Sequence, residues 1–388
     1  MSRFFSHINT VKEVIKRYKG DVPFSAFLKN FFSKDKKFGS RDRRVISAFC
    51  YHYFRLGLAY PANDLDKRLL AATFLLGNEP NEWLEKEGNG WNEKVNFSLD
   101  EKIELSGLNL HSIFPLKDEL SSNIDIAAFN RSFLVQPDVF IRIRPKKQSI
   151  VKKKLEEAEI NYTEISESCF ALANGTKLEN ILSINEEVVI QDLNSQRVAE
   201  FFPFEISKEG STIWDCCAAS GGKAIMTFDT FPRSELTVSD IRSSIIINLQ
   251  KRLKEAGINK FQSFVADLSK PSGHDALPGN KKFDFVICDA PCSGSGTWSR
   301  TPEQLLFFKQ EEISRYSALQ KSIATNTTPF VKKGGYFLYI TCSVFKKENE
   351  EVVEYLQQNN QLELIKMDLM KGYEKKADTM FAALFKRK

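Results

Sequence analysis

Histidine is scarce in this chain, with four in 388 residues, and no CxxC pair occurs. His7, His52, His111 and His274 stand apart from the cysteines. The Cys/His spacings of zinc sites are therefore missing, and no metal is expected. No run approaches the ~18 apolar residues that a spanning helix needs, so no membrane is expected as a partner. Arg3, Lys12 and Glu13 break up the first residues, which do not read as a signal peptide. The GxGxxG dinucleotide fingerprint is also missing, which argues against NAD. Charge of one sign is barely in excess: 55 Lys+Arg against 50 Asp+Glu gives +5, too little on its own to argue for a nucleic-acid partner. The seven cysteines are odd in number and do not have the spacing of a disulfide framework. They read instead as thiols of a reducing, cytoplasmic compartment.

What is present is local. Lys34, Lys36, Lys37, Arg41, Arg43 and Arg44 form one basic cluster. Arg142, Arg144, Lys146 and Lys147 form another, followed by Lys152, Lys153 and Lys154. Each reads either as phosphate contacts or as a solvated face. The length allows two or three domains with their own cores.

Residues 1–125 read as helical. Val11, Val14, Ile15 and Tyr18 share one face at helical spacing, as do Val45, Ile46, Phe49 and Tyr53 in a helix whose cap is expected at Ser40. Leu69, Leu70, Thr73, Phe74 and Leu76 form a further apolar stripe. Residues 126–194 read as a small α+β subdomain, an adaptor between the larger parts. Val139 to Arg144 alternates as a strand stopped by Pro145, Ser149 to Glu157 suits a helix, and Tyr162–Ile165, Phe170–Leu172 and Val188–Asp192 suit short strands. Over 195–388, strand patterns at Ile213–Trp214, Glu235–Val238, Phe264–Val265, Phe283–Ile287 and Tyr336–Ile340 alternate with helices at Ser243–Ala256 and Pro302–Ala324. That order implies βαβ units and an α/β, doubly wound sheet.

Residues just past the carboxyl ends of parallel strands line the ligand crevice. Asp289-Ala290-Pro291-Cys292 and Thr341-Cys342-Ser343 each follow such a strand. Two thiols and a carboxylate should therefore meet, a set suited to chemistry on an electron-poor ring carbon. Asp215-Cys216-Cys217-Ala218-Ala219-Ser220-Gly221-Gly222-Lys223 follows the first strand, and its small residues let backbone approach a ligand. Asp240 ends the next strand, where an acid binds ribose hydroxyls in nucleotide-binding folds. Asp267 after the third could reach an adenine amino group. Each acid also reads as a helix cap or turn residue. An adenosine ligand without pyrophosphate fits, and S-adenosylmethionine is the cofactor expected. Cys50, Cys169, Cys216 and Cys288 read as inert core thiols. Trp298 and Arg300 read either as a base-stacking and phosphate-binding pair or as part of a packed lid.

The chain resembles the RsmB-type (Sun/NOL) family of RNA cytosine-5 methyltransferases. Asp215, Cys217 to Ala219 and Gly221 to Lys223 match DxCAAPGGK, Asp289 to Thr297 match DAPCSGSGT, and Thr341 to Ser343 match TCS. Gln191-Asp192 and Ser195-Gln196 are similar to QDxxSQ, and Ser40 to Arg55 resembles part of a NusB-like helical domain. Ser220 replaces a proline, Ala224 a threonine, and Ile245 a frequent arginine. The resemblance implies a Rossmann-like class I methyltransferase domain after the adaptor and an N-terminal NusB-like, RNA-binding domain. It implies Cys342 as nucleophile at cytosine C6, Cys292 in product release, and Asp289 on the N3/N4 edge of the base, with Lys223 either orienting Asp289 or binding RNA phosphate. The cofactor would lie against Cys217, Ala218, Ala219, Gly221, Gly222, Lys223, Asp240, Asp267 and Asp289. The flipped-out base implies structured RNA, with 16S-type ribosomal RNA expected, a transfer RNA as alternative, and a monomeric enzyme. A non-catalytic RNA-binding assembly factor is the rival from another class.

Overall fold

The computed structural model describes residues 3–35, 37–60, 64–206, 209–271 and 281–388. Lys36 of the first basic cluster and His274 lie outside them. The chain forms two compact units. One comprises Met1–Asp118, Ile124–Gln136 and Trp298–Lys309, and the other comprises Glu119–Asn123, Pro137–Thr297 and Gln310–Lys388.

The first unit is helical. Helices Arg3–Arg17, Phe24–Ser33, Ser40–Arg55 and Leu65–Leu76 turn Val11, Val14, Phe24, Ile46, Cys50, Phe54 and Leu69 into one core. The expected cap at Ser40 is displaced by one residue. Gly39 is the N-cap, and its backbone N–H donates to Asp42 Oδ2 at 3.2 Å. Two buried arginines clasp the unit from inside. Arg68 donates to the carbonyls of Tyr53, Gly57 and Tyr60. Arg55, 3 % exposed, donates to the carbonyls of Phe133 and Ser299 and to Gln136 Oε1. The Tyr53-Phe54-Arg55 motif is thus a packing motif. Trp298 is 1 % exposed and packs on Phe114 and Phe308. It belongs to this core and is not free to stack on a base. The helix expected over 302–324 is broken. A short turn of helix at Gln304–Phe307 ends before Glu311–Thr327 begins.

The second unit holds two sheets. β1 (Val139–Ile143), β2 (Tyr162–Ser166), β3 (Cys169–Leu172) and β4 (Val188–Ile190) form an antiparallel sheet in the order β2-β3-β1-β4. Strand alternation sends Ile141, Ile143, Phe170 and Leu172 against Val151 and Leu155 of the Gln148–Glu157 helix. The opposite face carries Phe140, packed on Leu193 and Ala377.

Apart from Lys146, which is exposed, the second basic cluster is buried or ion-paired, which disfavours the phosphate-contact reading of it. Arg142 is 7 % exposed and donates to Asp229 Oδ2 at 2.6 Å and to Gln191 Oε1 at 2.9 Å. Arg144 donates to Asp229 Oδ1 at 2.6 Å and to the carbonyls of Asn185 and Ala256. Lys147, Lys152, Lys153 and Lys154 are paired with Glu186, Glu164, Glu157 and Glu187. These partners lie far off in sequence or on the next helical turn, where composition does not reveal them. The first cluster differs. Lys34, Lys37, Arg41, Arg43 and Arg44 are exposed; Lys37 pairs with Asp35, and Arg43 donates to the Phe38 carbonyl.

The larger sheet comprises β5 (Glu209–Asp215), β6 (Arg233–Asp240), β7 (Phe261–Val265), β8 (Phe283–Asp289), β9 (Val331–Thr341), β10 (Leu362–Met370) and β11 (Met380–Arg387). Their order is β10-β11-β9-β8-β5-β6-β7. β7, β6, β5, β8 and β9 are mutually parallel, and β11 runs antiparallel to both β9 and β10. This is the expected α/β Rossmann-like sheet, with a reversed strand inserted beside β9. Ile213, Phe285, Ile287, Leu338 and Ala382 bury one face against Val198, Phe202 and Met226, while Leu249 and Leu253 of the Ser243–Glu255 helix cover Leu236 and Val238. The Gln191-Asp192…Ser195-Gln196 segment ties the two sheets together. Gln191 accepts from Arg142 and donates to Ser195, while Asp192 caps the Leu193–Arg197 helix and accepts from the Asp378 N–H.

Candidate active site

Because β5, β6, β8 and β9 are parallel, their carboxyl ends fall on one edge of the sheet. They deliver Asp215, Asp240, Asp289 and Thr341 there. The loop after β5 closes tightly. Ala218 N donates to the Ser239 carbonyl at 2.9 Å and Gly221 N to the Ala218 carbonyl at 2.8 Å. Gly221 has φ +87°, and a Cβ there would stand 2.3 Å from Leu249 Cδ1, so glycine is required on two counts. Gly222 then opens the Gly222–Thr230 helix. The two departures in this loop leave the geometry whole. The Ser220 carbonyl accepts from Arg252, and Ala224 is buried in the core.

Asp240 is 7 % exposed. Its Oδ2 accepts from Ala219 N at 3.2 Å and its Oδ1 from Arg242 N at 3.0 Å and Nε at 3.1 Å. The Arg242 side chain is 59 % exposed and can give way to a ribose hydroxyl. Asp267 caps its own turn, accepting from Ser269 N and Oγ and pairing with Lys270. Here the turn-residue reading describes what is present.

Lys223 Nζ donates to Asp289 Oδ2 at 2.7 Å. Burial works against the Lys223 charge, but the charge and hydrogen bond of Asp289 outweigh it and raise its pKa. Asp215 is wholly buried, and neither carboxylate oxygen finds a partner of hydrogen-bonding geometry. Burial, reinforced by the charge of Asp289, raises its pKa well above the ordinary range.

The two motif thiols meet. Cys292 Sγ and Cys342 Sγ are 3.2 Å apart, and both residues are partly exposed. The hydrogen bond with Cys342, and then burial, push the Cys292 thiol well up. Lys223 also interacts electrostatically with Cys342.

Sequence reasoning missed the residues that fix this pair. Glu348 is fully buried and joins both thiol loops. It accepts from Ser293 N at 2.9 Å, Ser343 Oγ at 2.8 Å and Gln320 Nε2 at 2.8 Å. Asn349 accepts from Thr341 Oγ1 at 2.6 Å and donates to the Ser343 carbonyl at 2.9 Å. Gly296 N donates to the Cys342 carbonyl, and a Cβ at Gly296 would meet the Thr379 carbonyl at 2.0 Å. In sequence, Lys346 to Glu351 is a charged run that reads as a solvated helix start. The one signal in it is its position, six residues past Cys342. Among the remaining thiols, Cys50 and Cys169 are buried, and burial pushes Cys169 up to about 11.

No helix among the described residues is long and apolar enough to cross a membrane. Residues 206–385 match the family model described as 16S rRNA methyltransferase RsmB/F. The chain is 28 % identical over 239 residues to the probable ribosomal RNA small subunit methyltransferase B of Bacillus subtilis, covering 60 % of this chain and 52 % of that protein. It is 32 % identical over 166 residues to the ribosomal RNA small subunit methyltransferase B of Cronobacter sakazakii, covering 43 % and 37 %. The chain thus matches about half the length, or less, of these curated relatives. In fold it is similar to a methyltransferase homolog protein of Pyrococcus horikoshii, with TM-score 0.58 at 18 % identity over 70 % of this chain and 92 % of that one. The NSun6 of the same organism, solved with SFG, gives TM-score 0.58 at 12 % identity over 68 % and 94 %. The methyl donor of such a domain is S-adenosylmethionine, and the glycine turn and the ribose-reach carboxylate of Asp240 fit it. Over residues 206–385, less than half of its length, the chain is thus similar to methyltransferases of the RsmB/F family.

Proposed function

We propose that this protein methylates C5 of a cytosine in structured RNA, with small-subunit ribosomal RNA as the target, through a covalent adduct of Cys342 at C6. The observation that carries the reading is the thiol pair 3.2 Å apart at the same sheet edge as the Lys223–Asp289 pair. The names of the curated relatives support the RNA class.

The loop 217–222, Asp240 and Asp267 would hold S-adenosylmethionine, which when bound supplies an electrophilic methyl group. Everything else falls to side chains of the chain. Cytosine C5 is a poor nucleophile. Attack of the Cys342 thiolate forms an S–C6 bond and moves the C5=C6 electron pair onto C5, which becomes an enamine carbon able to take the methyl. Asp289 lies where it can bind the N3/N4 edge of the base, and Lys223 holds its carboxylate in place. Once C5 carries both methyl and hydrogen, water takes the C5 proton, the C5–H electron pair re-forms the C5=C6 double bond, and the Cys342 sulfur leaves as thiolate. Cys292, the neighbouring thiol, serves that release. The base must leave its stack to reach the site, which favours single-stranded or loop RNA.

We read the helical unit as a NusB-like RNA-binding domain, with Lys34, Arg41 and Arg44 as its phosphate contacts. The protein acts as a monomer in the cytoplasm, where its thiols stay reduced. The rival, an assembly factor without turnover, rested on Ser220 and Ala224, and both are accommodated without disturbing the thiols or Asp289. Bisulfite sequencing of ribosomal and transfer RNA from a deletion strain tests the reading. Loss of one 5-methylcytosine from small-subunit RNA is expected. Loss from a transfer RNA would move the target, and no loss from any RNA would favour the rival.

A further inference from the structure

The proposed reaction leaves Cys216 and Cys288 without a task, yet they are not scattered core thiols. Cys216 and Cys217 follow the end of β5, and Cys288 lies near the end of its parallel neighbour β8. The pairing register sets Asp215 opposite Ile287, and Cys216 N donates to the Ile287 carbonyl at 2.9 Å. The sulfurs of Cys216, Cys217 and Cys288 consequently all lie within 4.8 Å of one another. Cys216 and Cys288 are buried and Cys217 is partly exposed, so the cluster opens on one side. Its sequence neighbour Asp215 adds a fully buried acid whose side-chain oxygens meet no hydrogen-bond partner among the described residues.

We infer that Cys216, Cys217 and Cys288 form a binding site for a soft, thiophilic divalent cation of the zinc or cadmium type. Thiolates select such ions over hard ones. With zinc–sulfur bonds of about 2.3 Å, three sulfurs on one ion stand about 3.8–4.0 Å apart, so from its upper limit of 4.8 Å the cluster needs a contraction of up to about one ångström. On binding, each thiol gives its proton to solvent and its sulfur lone pair to the cation. The product is a tris-thiolate of net charge −1, and Lys223, electrostatically coupled to Asp215 and Asp289, is the compensating cation nearby. The ion staples the β5 loop to β8, directly before Asp289. The three cysteines lack metal-motif spacing because two neighbouring strands, and not one loop, bring them together. The inference rests on the thiol geometry and not on the proposed reaction.

The test titrates the reduced, metal-free full chain with cadmium, reading the sulfur-to-metal charge-transfer absorption, proton release and the thermal midpoint. Zinc is then followed by competition with a chromogenic chelator. One ion per chain, a raised midpoint and proton release are expected. Cys216→Ala and, separately, Cys288→Ala should lose the absorption and weaken binding by more than about tenfold. The double variant Cys292→Ala/Cys342→Ala, which removes the other thiol pair, should keep it. No binding by the unaltered chain at micromolar free cation overturns the inference without recourse to any variant. So does absorption that survives in both Cys216→Ala and Cys288→Ala and vanishes in the double variant.

Discussion

Asp215 and Lys223 flank the cofactor loop and respond oppositely to burial. Burial raises the Asp215 pKa, so the folded chain keeps a proton that the unfolded chain gives up above about pH 4. Stability is therefore fully present below that pH and falls as pH rises towards the folded value. Asp215→Asn removes the penalty. It should melt above the unaltered protein near about pH 7, with the gap closing by about pH 4. A variant that melts lower at every pH would mean the carboxylate is needed charged. For Lys223 the raised pKa has the usual sense for a paired lysine. Its contribution is complete below about 10.4 and is lost as pH climbs through the folded value. Asp240→Ala removes the carboxylate that accepts from the Ala219 N–H and that we assign to the ribose. Calorimetry should find S-adenosylmethionine binding weakened by ~1–3 kcal/mol, and unchanged affinity would remove Asp240 from the cofactor site.

At the level of elements, the thiol loops are held by one buried acid. Glu348→Ala leaves Ser293 N, Ser343 Oγ and Gln320 Nε2 without their acceptor, at about 1–3 kcal/mol for each group left unpaired. Urea unfolding should show the loss, and a variant as stable as the parent would show that water replaces the carboxylate. The strand ends were legible because Tyr336–Ile340 is an unbroken apolar run and Phe283–Cys288 is interrupted only by Asp284, each followed at once by a polar residue, Thr341 and Asp289. Cys292 stands 3.2 Å from Cys342, and Lys223 stands 2.7 Å from Asp289. The sequence did not reveal Glu348, whose burial depends on Gln320 and Ser293 arriving from elsewhere. β10 and β11 also went unread. The alternation in Leu362–Met370 is broken by a bulge between Leu364 and Lys366 and leaves Ile365 and Met367 exposed. The pairing of the cations between Arg142 and Lys154 was hidden for the converse reason. Asp229 and Glu187, which neutralise several of them, lie tens of residues away.

For the whole molecule, the account needs RNA brought to a thiol. Lys34, Arg41 and Arg44 remain as exposed cations of the helical unit. Replacing Arg41 and Arg44 by Gln should flatten the slope of log affinity against log salt by about 1.4–1.8, from ~0.7–0.9 per phosphate contact. An unaltered slope would mark that face as merely solvated. The most direct measurement of the central claim incubates purified variants with substrate RNA and S-adenosylmethionine and resolves them by denaturing electrophoresis. Cys292→Ala should attack and methylate but stall before release, accumulating a protein–RNA adduct that builds up only with cofactor present. Cys342→Ala should be inactive and leave none. An adduct in Cys342→Ala with none in Cys292→Ala would contradict the assignment of the nucleophile, and no adduct in either would contradict covalent catalysis itself.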